Sequence, residues 1–335
     1  MRLISSAVIS LVICAVLPSY ADETSAPEVL KSEFIAQQVR NGMTKQEVTS
    51  ILDKAHFQQT IIDSISRPWE AKPWYQYYPI FLTDNRLEAG LSFWKKNKDV
   101  IARAAKKFQV DPQIIVAIIG VETYYGKYLG KHSVLDALYT LGFYYPPRAK
   151  FFRGQLGDLL KLTKEEHLDI NNLKGSYAGA MGYGQFIPSS YRYYAVDFDG
   201  NGSRDLIGSP ADAIGSVANY LHKHGWQKGM PTTIELVNES DSAPETAPWS
   251  GKRLKLKAAD ILTPQLHLKH SIDIDIAQPA ILIELQQESD KEYWLGLKNF
   301  YVITRYNHSP LYAMAVYQFS QQLKQSYEKQ AHEKQ

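Results

Sequence analysis

Cysteine is almost absent from this chain: of 335 residues only Cys14 carries a thiol. It falls inside the N-terminal apolar run, so the mature protein expected below has none. Disulfide stapling is thereby excluded, and stability must come from the core. An excess of one charge is also missing. The 37 Lys and Arg against 35 Asp and Glu leave a formal net charge of +2, too little to point to nucleic acid. Long apolar runs are scarce, and beyond the N-terminus no segment is long enough to span a membrane. There is no His-Glu-x-x-His, no phosphate loop and no Gly-x-Ser-x-Gly. His222 and His224 stand two apart on a helix and face different ways, which argues against a metal pair.

Tyrosine and tryptophan are plentiful, 22 and 6 residues respectively. Each offers a flat apolar face with a polar tip, suited to sugar rings and equally to ordinary core filling. The N-terminus reads Met1-Arg2, an apolar run from Leu3 to Leu17, then Pro18-Ser19-Tyr20-Ala21. A basic start, a short apolar core and small residues at Ser19 and Ala21 describe a secretory signal peptide, residues 1–21. A periplasmic location is expected. Lipidation at Cys14 is the competing reading, and the bulky Ile13 before it argues against that.

Residues 22–32 are small, polar and acidic, and read as a flexible lead-in. Thr44-Lys-Gln-Glu47 is a capping box that opens a helix. Asn85 to Phe108 carries apolar residues at helical spacing, and Asp111-Pro112 supplies an N-cap and first-turn proline for the next helix. Helical patterning continues to about Lys164 and returns from Ser209 to His224. After Gly225-Trp226 the pattern turns to strands: Thr232 to Val237, Leu254 to Leu256, Ile272 to Ile276 and Ile281 to Leu285. Tyr312 to Tyr327 is helical again. The expected divisions are a helical subdomain at 33–110, a catalytic core at 111–230, a β-rich subdomain at 231–300, a return to the core at 301–327 and a frayed tail at 328–335.

Three segments look like walls of one cleft. Ile114-Ile-Val-Ala-Ile-Ile-Gly-Val-Glu122 is the most apolar stretch of the mature chain, and Thr123-Tyr-Tyr-Gly126 follows at once. A carboxyl group at the dry end of a buried helix should hold its proton toward neutral pH, as a general acid requires. A solvated Glu at a helix end is the alternative. The second wall is Gly175 to Tyr191, where four glycines allow close approach to a ligand or simply tight packing, and Gln185 adds a neutral amide. The third is the polar cluster Ile303-Thr-Arg-Tyr-Asn-His308, expected just before a helix.

Val121-Glu-Thr-Tyr-Tyr-Gly126, Gly179-Ala-Met-Gly-Tyr-Gly-Gln-Phe186, Val196-Asp-Phe-Asp-Gly200, Ala213-Ile-Gly-Ser-Val-Ala-Asn-Tyr220 and Thr304-Arg-Tyr-Asn307 resemble the lytic murein transglycosylase B family. The likeness runs from about residue 30 to 325. It implies an α+β, mainly α fold: a lysozyme-like helical core with a flanking α subdomain and a small β-rich subdomain. It also implies cleavage of the β-1,4 bond between N-acetylmuramic acid and N-acetylglucosamine, leaving 1,6-anhydromuramoyl ends. The family's single acid/base falls on Glu122. Its substrate contacts fall on Gln185, Ser176, Tyr77, Arg148, Tyr220, Tyr306, Asn307 and Tyr312. A hydrolytic glycosidase ordinarily needs two carboxylates, and neither the Gln185 motif nor Arg305-Tyr-Asn307 supplies a second.

Asp197-Phe-Asp199-Gly-Asn201-Gly-Ser203-Arg-Asp205 matches the first nine positions of an EF-hand loop, with Ser203 giving its carbonyl. Position twelve is Gly208 instead of Glu. The family uses a later acid, which Asp212 matches best, although Ser209-Pro-Ala-Asp212 also reads as a capping box. A structural calcium ion is expected, and no organic cofactor. The expected partner is the glycan strand of peptidoglycan, acted on by a monomer. A hydrolytic muramidase and a non-catalytic murein-binding scaffold stand as the other function classes.

Overall fold

The computed structural model describes residues 26–66, 72–240, 242, 244 and 254–333. The expected signal peptide and Cys14 lie outside them. In chain order the helices are α1 (Pro27–Arg40), α2 (Lys45–Leu52), α3 (Gln59–Ile65), α4 (Trp74–Tyr77), α5 (Asp84–Lys96), α6 (Lys98–Phe108), α7 (Pro112–Thr123), α8 (Val134–Tyr144), α9 (Ala149–Glu165), α10 (Pro188–Tyr194), α11 (Pro210–Lys223), α12 (Ala258–Ile261), α13 (Lys298–Tyr306) and α14 (Pro310–His332). The strands are β1 (His132–Ser133), β2 (Lys174–Gly175), β3 (Thr233–Asn238), β4 (Leu256–Lys257), β5 (Leu266–Leu268), β6 (Pro279–Gln286) and β7 (Lys291–Gly296). The first two pair with each other, and the others form one antiparallel sheet in the order β4-β6-β7-β3-β5.

Helix α7 is the axle. From Ile114 to Val121 every residue is buried, so this helix has no solvent face and must be wrapped on all sides. Helices α5, α6, α11 and α14 do the wrapping. Gly120 sits where α7 meets α5. A Cβ there would stand 2.4 Å from the Tyr125 hydroxyl and 3.0 Å from Phe319, and one at Gly90 of α5 would stand 2.3 Å from the same hydroxyl. The two glycines form a notch that the Tyr125 ring fills, stacked on Phe93.

The sheet serves two cores at once. On β6, Ile281, Ile283 and Leu285 join the main core, while Ala280 and Leu282 turn to a small core with Ala258, Ile261 and Leu266. A strand buried on both faces reads as a continuous apolar run, which Ile281-Leu-Ile283 shows. The β-rich segment therefore shares its core with the helical body.

Several expectations are corrected. The lead-in is shorter than residues 22–32, because Pro27 at the first helical position starts α1, whose Leu30 and Phe34 are buried one turn apart. The tail from Glu328 is helical through His332, since no glycine or proline interrupts it. Ile272 to Ile276 is not a strand: Ile274 packs on the small core, while Ile272 and Ile276 are 45% and 55% exposed. Strand β7, not singled out in the sequence, pairs along its own full length with Ile281 to Gln286 of β6. The boundary at 300/301 falls inside α13, so the polar cluster Ile303 to His308 lies within that helix as far as Tyr306. Asn97 divides the expected Asn85–Phe108 helix into α5 and α6, its side-chain amide donating to the Phe93 carbonyl at 2.9 Å. Asp111 precedes α7 without capping it, and its carboxylate accepts from Trp226 Nε1 at 2.8 Å instead.

Gly120→Ala should destabilise the fold by about 1–3 kcal/mol, the usual cost of forcing an added carbon into a packed contact. Denaturant unfolding checks this, and Tyr125→Phe in the same protein should recover part of the loss by removing the clashing hydroxyl.

Candidate active site

Glu122 occupies the last turn of α7, half-buried, one residue before the buried Thr123. The helix ends because Tyr124 turns left-handed, at φ 52°, and donates its N–H back to the Gly120 carbonyl at 3.0 Å. Tyr125 is left-handed as well, at φ 61°. The Thr123 hydroxyl joins this end to the glycine-rich wall. It donates to the Tyr183 carbonyl at 2.9 Å and accepts from the Gly126 N–H at 3.0 Å. Sequence reasoning passed over Thr123, since nothing local marks a threonine whose partner is 60 residues away.

The third wall comes from α13, α14 and the turn between them. Tyr312 donates its hydroxyl to Glu122 Oε1 at 2.5 Å. It is placed by the start of α14, where Ser309 caps the Tyr312 N–H at 3.3 Å and Pro310 opens the first turn. Tyr306, the last residue of α13, donates to the Gly184 carbonyl at 2.5 Å. Burial first, and then the charge of Glu122, push both phenols well above their ordinary range. Both are protonated donors at neutral pH. Tyr77, buried in α4, adds the smallest of the influences that raise the Tyr312 phenol.

The other expected site residues fall into two groups. Tyr220 stands behind Tyr306 at 4.8 Å between ring centroids, and its hydroxyl donates to the Arg305 carbonyl at 2.5 Å. Asn307 folds its Oδ1 onto the Ser309 N–H at 3.0 Å, which leaves its amide NH2 without a partner among the described residues. These join the Glu122 cluster. Gln185 is left-handed at φ 49°, and its amide donates to the Leu129 and Gly182 carbonyls at 3.2 and 3.0 Å. Ser176 accepts from the Ala178 and Ala180 N–H groups at 3.2 and 3.1 Å. Both hold the glycine-rich loop in shape. Arg148 is exposed at the rim, its guanidinium over Phe151 at 4.5 Å, and its charge helps to lower the pKa of His308 behind burial and Arg305.

The second site lies behind the glycine-rich loop. Carboxylate oxygens of Asp197, Asp199 and Asp212 lie within 4.8 Å of one another. Backbone N–H groups of Gly202 and Gly200 hold the Asp197 carboxyl below its usual range. Asp212 is wholly buried, and its oxygens accept from Phe198, Asp199 and Asp205 N–H groups at 2.7, 3.2 and 2.8 Å. Burial raises its pKa against those three donors. Three converging hard oxygens in a tight loop suit a divalent cation of the calcium type. The Asn201 side chain accepts from Ser203 N at 2.9 Å inside the loop. Asp205 is outside the convergent set, because its Oδ1 caps the Ile207 and Gly208 N–H groups at 2.9 and 2.8 Å. The Ser209 box is half made: Ser209 accepts from the Asp212 N–H at 3.2 Å, but the Asp212 carboxylate turns to the loop instead.

Asp212→Ala should cost about 2–5 kcal/mol of stability, since each buried donor left without an acceptor costs about 1–3 kcal/mol. Thermal unfolding in chelator is the check, and a near-normal midpoint would show that the three N–H groups find water.

Residues 27–321 match the family described as "Transglycosylase SLT domain". The chain is 42% identical over 300 residues to membrane-bound lytic murein transglycosylase B of Escherichia coli K12, covering 86% of this chain and 81% of that one. It superposes on the crystal structure of Escherichia coli lytic transglycosylase Slt35 in complex with calcium with a TM-score of 0.80 at 39% identity, covering 89% and 93% of the two chains. Against SltB3 of Pseudomonas aeruginosa in complex with NAG-anhNAM-pentapeptide the TM-score is 0.75 at 28% identity, with 89% and 80% covered. On this family match and the likeness to these relatives in sequence and fold, the chain belongs to the lytic murein transglycosylase B family of peptidoglycan-cleaving enzymes.

Proposed function

We propose that Glu122 is the single acid and base by which this lytic transglycosylase cuts the glycan strand. The observation that carries the assignment is the Tyr312 hydroxyl on Glu122 Oε1 at 2.5 Å. It fixes a half-buried carboxyl at the end of a rigid helix. As acid, Glu122 gives its proton to the oxygen between N-acetylmuramic acid and N-acetylglucosamine. The C1–O bond breaks and its electron pair stays with the leaving oxygen. As carboxylate, Glu122 then takes the proton of the C6 hydroxyl on the same muramoyl residue, and O6 bonds to C1 to close the 1,6-anhydro ring. The proton count balances without water. An internal nucleophile also brings the rate advantage of an intramolecular reaction. The bound anhNAM sugar in the SltB3 relative supports this product.

In this reading Tyr312 orients Glu122, while Tyr306, Tyr220 and Tyr77 form the aromatic floor. The amide NH2 of Asn307 faces the sugar as a hydrogen-bond donor, and Arg148 serves the rim. Gln185 and Ser176 act through the loop they brace. The calcium complex of Slt35 supports a structural calcium ion held here by Asp197, Asp199 and Asp212. The basic start and apolar run at 1–21 support export to the periplasm.

Glu122→Gln should lower strand cleavage by roughly 10²–10⁴-fold, the typical worth of a positioned acid/base, with the unfolding midpoint unchanged. Mass spectrometry of digested sacculi reads both the rate and the chemistry. Anhydro ends are expected, and hydrated reducing ends would make the enzyme a muramidase instead. For the cation, calcium added to chelated protein should raise stability by about 2.7 kcal/mol at a hundredfold excess over its dissociation constant. Asp197→Ala should abolish that gain. Calorimetry showing neither heat nor a shifted midpoint would remove calcium from the account.

A further inference from the structure

The backbone of Tyr183 carries the glycine-rich wall of the cleft. Its N–H donates to the Leu206 carbonyl at 2.9 Å, and its carbonyl accepts from the Thr123 hydroxyl at 2.9 Å. One residue further on, the Gly184 carbonyl accepts from the Tyr306 hydroxyl. Neighbouring atoms of one loop are thus fastened to three places. These are the end of α7 beside Glu122, the end of α13, and the segment that follows the Asp197–Asp199 turn.

Two of these fastenings are drawn tight by glycine. A Cβ on Gly182 would stand 2.3 Å from the Leu206 carbonyl oxygen, and one on Gly126 would stand 2.2 Å from the Tyr183 ring. Both glycines lie at positive φ, 72° and 88°, so each serves the turn and the close approach together. Tyr183 therefore has little room to slide against Leu206 or against the turn after Thr123. Thr123 and Leu206 are each only 1% exposed, which keeps water from replacing either bond.

Leu206 in turn is placed by the acidic loop. Its N–H donates to the Tyr191 hydroxyl at 2.9 Å, and that hydroxyl donates to the Arg204 carbonyl at 2.5 Å. Beside it, the Asp205 N–H donates to Asp212 Oδ2 at 2.8 Å, while Asp212 Oδ1 accepts from the Phe198 and Asp199 N–H groups. Asp212 thereby joins the two limbs of the loop. Its carboxylate lies within 4.8 Å of those of Asp197 and Asp199. Three carboxylates at that range repel one another, and a divalent cation among them turns the repulsion into attraction. Drawing Asp212 toward the other two shifts Asp205, and Leu206 with it. From Asp212 to the neighbour of Glu122 the route is three hydrogen bonds of 2.8, 2.9 and 2.9 Å, with backbone between them.

We infer that Thr123 is a positioning residue that links the acidic loop to the cleft, so that a divalent cation at Asp197, Asp199 and Asp212 and a glycan beside Glu122 each strengthen the binding of the other. The inference rests on the glycan-cleaving and calcium readings above. Coupling between two binding sites is reciprocal by thermodynamic necessity, so binding tests it without turnover. Calcium-free Glu122→Gln protein is titrated calorimetrically with calcium, alone and with saturating GlcNAc-MurNAc tetrasaccharide. The tetrasaccharide is then titrated with and without calcium. Each ligand should tighten the other by the same factor, about five- to tenfold, the lower range of coupling between sites. Adding Thr123→Val, which keeps the shape and loses the hydroxyl, should remove the coupling, and Thr123→Ser should restore it. A role in stability alone would lower the unfolding midpoint of the Thr123→Val protein and leave the factor as it was. Independent binding with Thr123 in place, or coupling that survives Thr123→Val, overturns the inference and leaves both earlier readings standing. Absence of calcium heat or of tetrasaccharide binding strikes the reading concerned, and the inference with it.

Discussion

A helix that is apolar on every side has no slack, and α7 imposes this constraint on the rest of the molecule. Its neighbours α5, α6, α11 and α14 can close around it only where side chains shrink, as at Gly90 and Gly120. Because the helix cannot rotate to relieve a misfit, the residue at its end has one position. Glu122 is that residue, and Thr123 beside it ties the same end to the Tyr183 carbonyl across the cleft. Catalytic groups built on a packed helix are held more closely than groups on a loop. The left-handed turn at Tyr124 and Tyr125 follows from the same demand. The chain must leave α7 abruptly enough for Tyr125 to fold back into the notch that its own helix helps to make.

Much of this was legible before any coordinates. The Thr44 capping box is made in full, with Glu47 Oε2 accepting the Thr44 N–H at 2.7 Å and Thr44 accepting from Glu47 N at 3.2 Å. Its two halves lie three residues apart, so local sequence suffices to specify them. The position of Glu122 at the end of a buried helix was legible too, because the run from Ile114 to Val121 has no polar interruption. What stayed hidden is nonlocal. The alternation from Ile272 to Ile276 has the period of a strand, but only Ile274 meets the small core. Strand β7 has a weaker pattern of its own and gains its place from pairing with β6. Asp111 has the chemistry of a cap, yet Trp226, 115 residues later, draws its carboxylate away. Local propensity loses wherever a distant partner offers a better hydrogen bond.

The β-rich segment illustrates the same point at larger scale. Its composition suggests a separable unit, but alternate residues of β6 belong to different cores. Trp294 of β7 meets Tyr317 of α14 edge-on, which ties the sheet to the helix that carries Tyr312. The linker entering the sheet is pinned as well: buried Asn299 accepts from Gln227 N at 2.8 Å and donates to the Gln227 and Met230 carbonyls at 2.7 and 3.0 Å. A segment fastened at its entrance and through its middle strand supports the third wall of the cleft.

The choice of tyrosine beside Glu122 follows from what the proposed cycle asks of one carboxyl group. It must be an acid at the start and a base afterwards, so its two protonation states must lie close in free energy. A lysine or arginine at the position of Tyr312 would favour the carboxylate by Coulomb attraction in a poorly hydrated site and so work against the first step. A purely apolar neighbour would do the reverse and hold the proton through the second. A phenol lies between these extremes. It is neutral, it donates one hydrogen bond, and burial with the Glu122 charge nearby keeps it from ionising. Tyr306, under the same two influences, donates its hydroxyl to the Gly184 carbonyl. The aromatic cluster around the carboxyl group thus provides a dry floor and a donor of intermediate strength, which suits a reaction in which one residue must both give and take a proton.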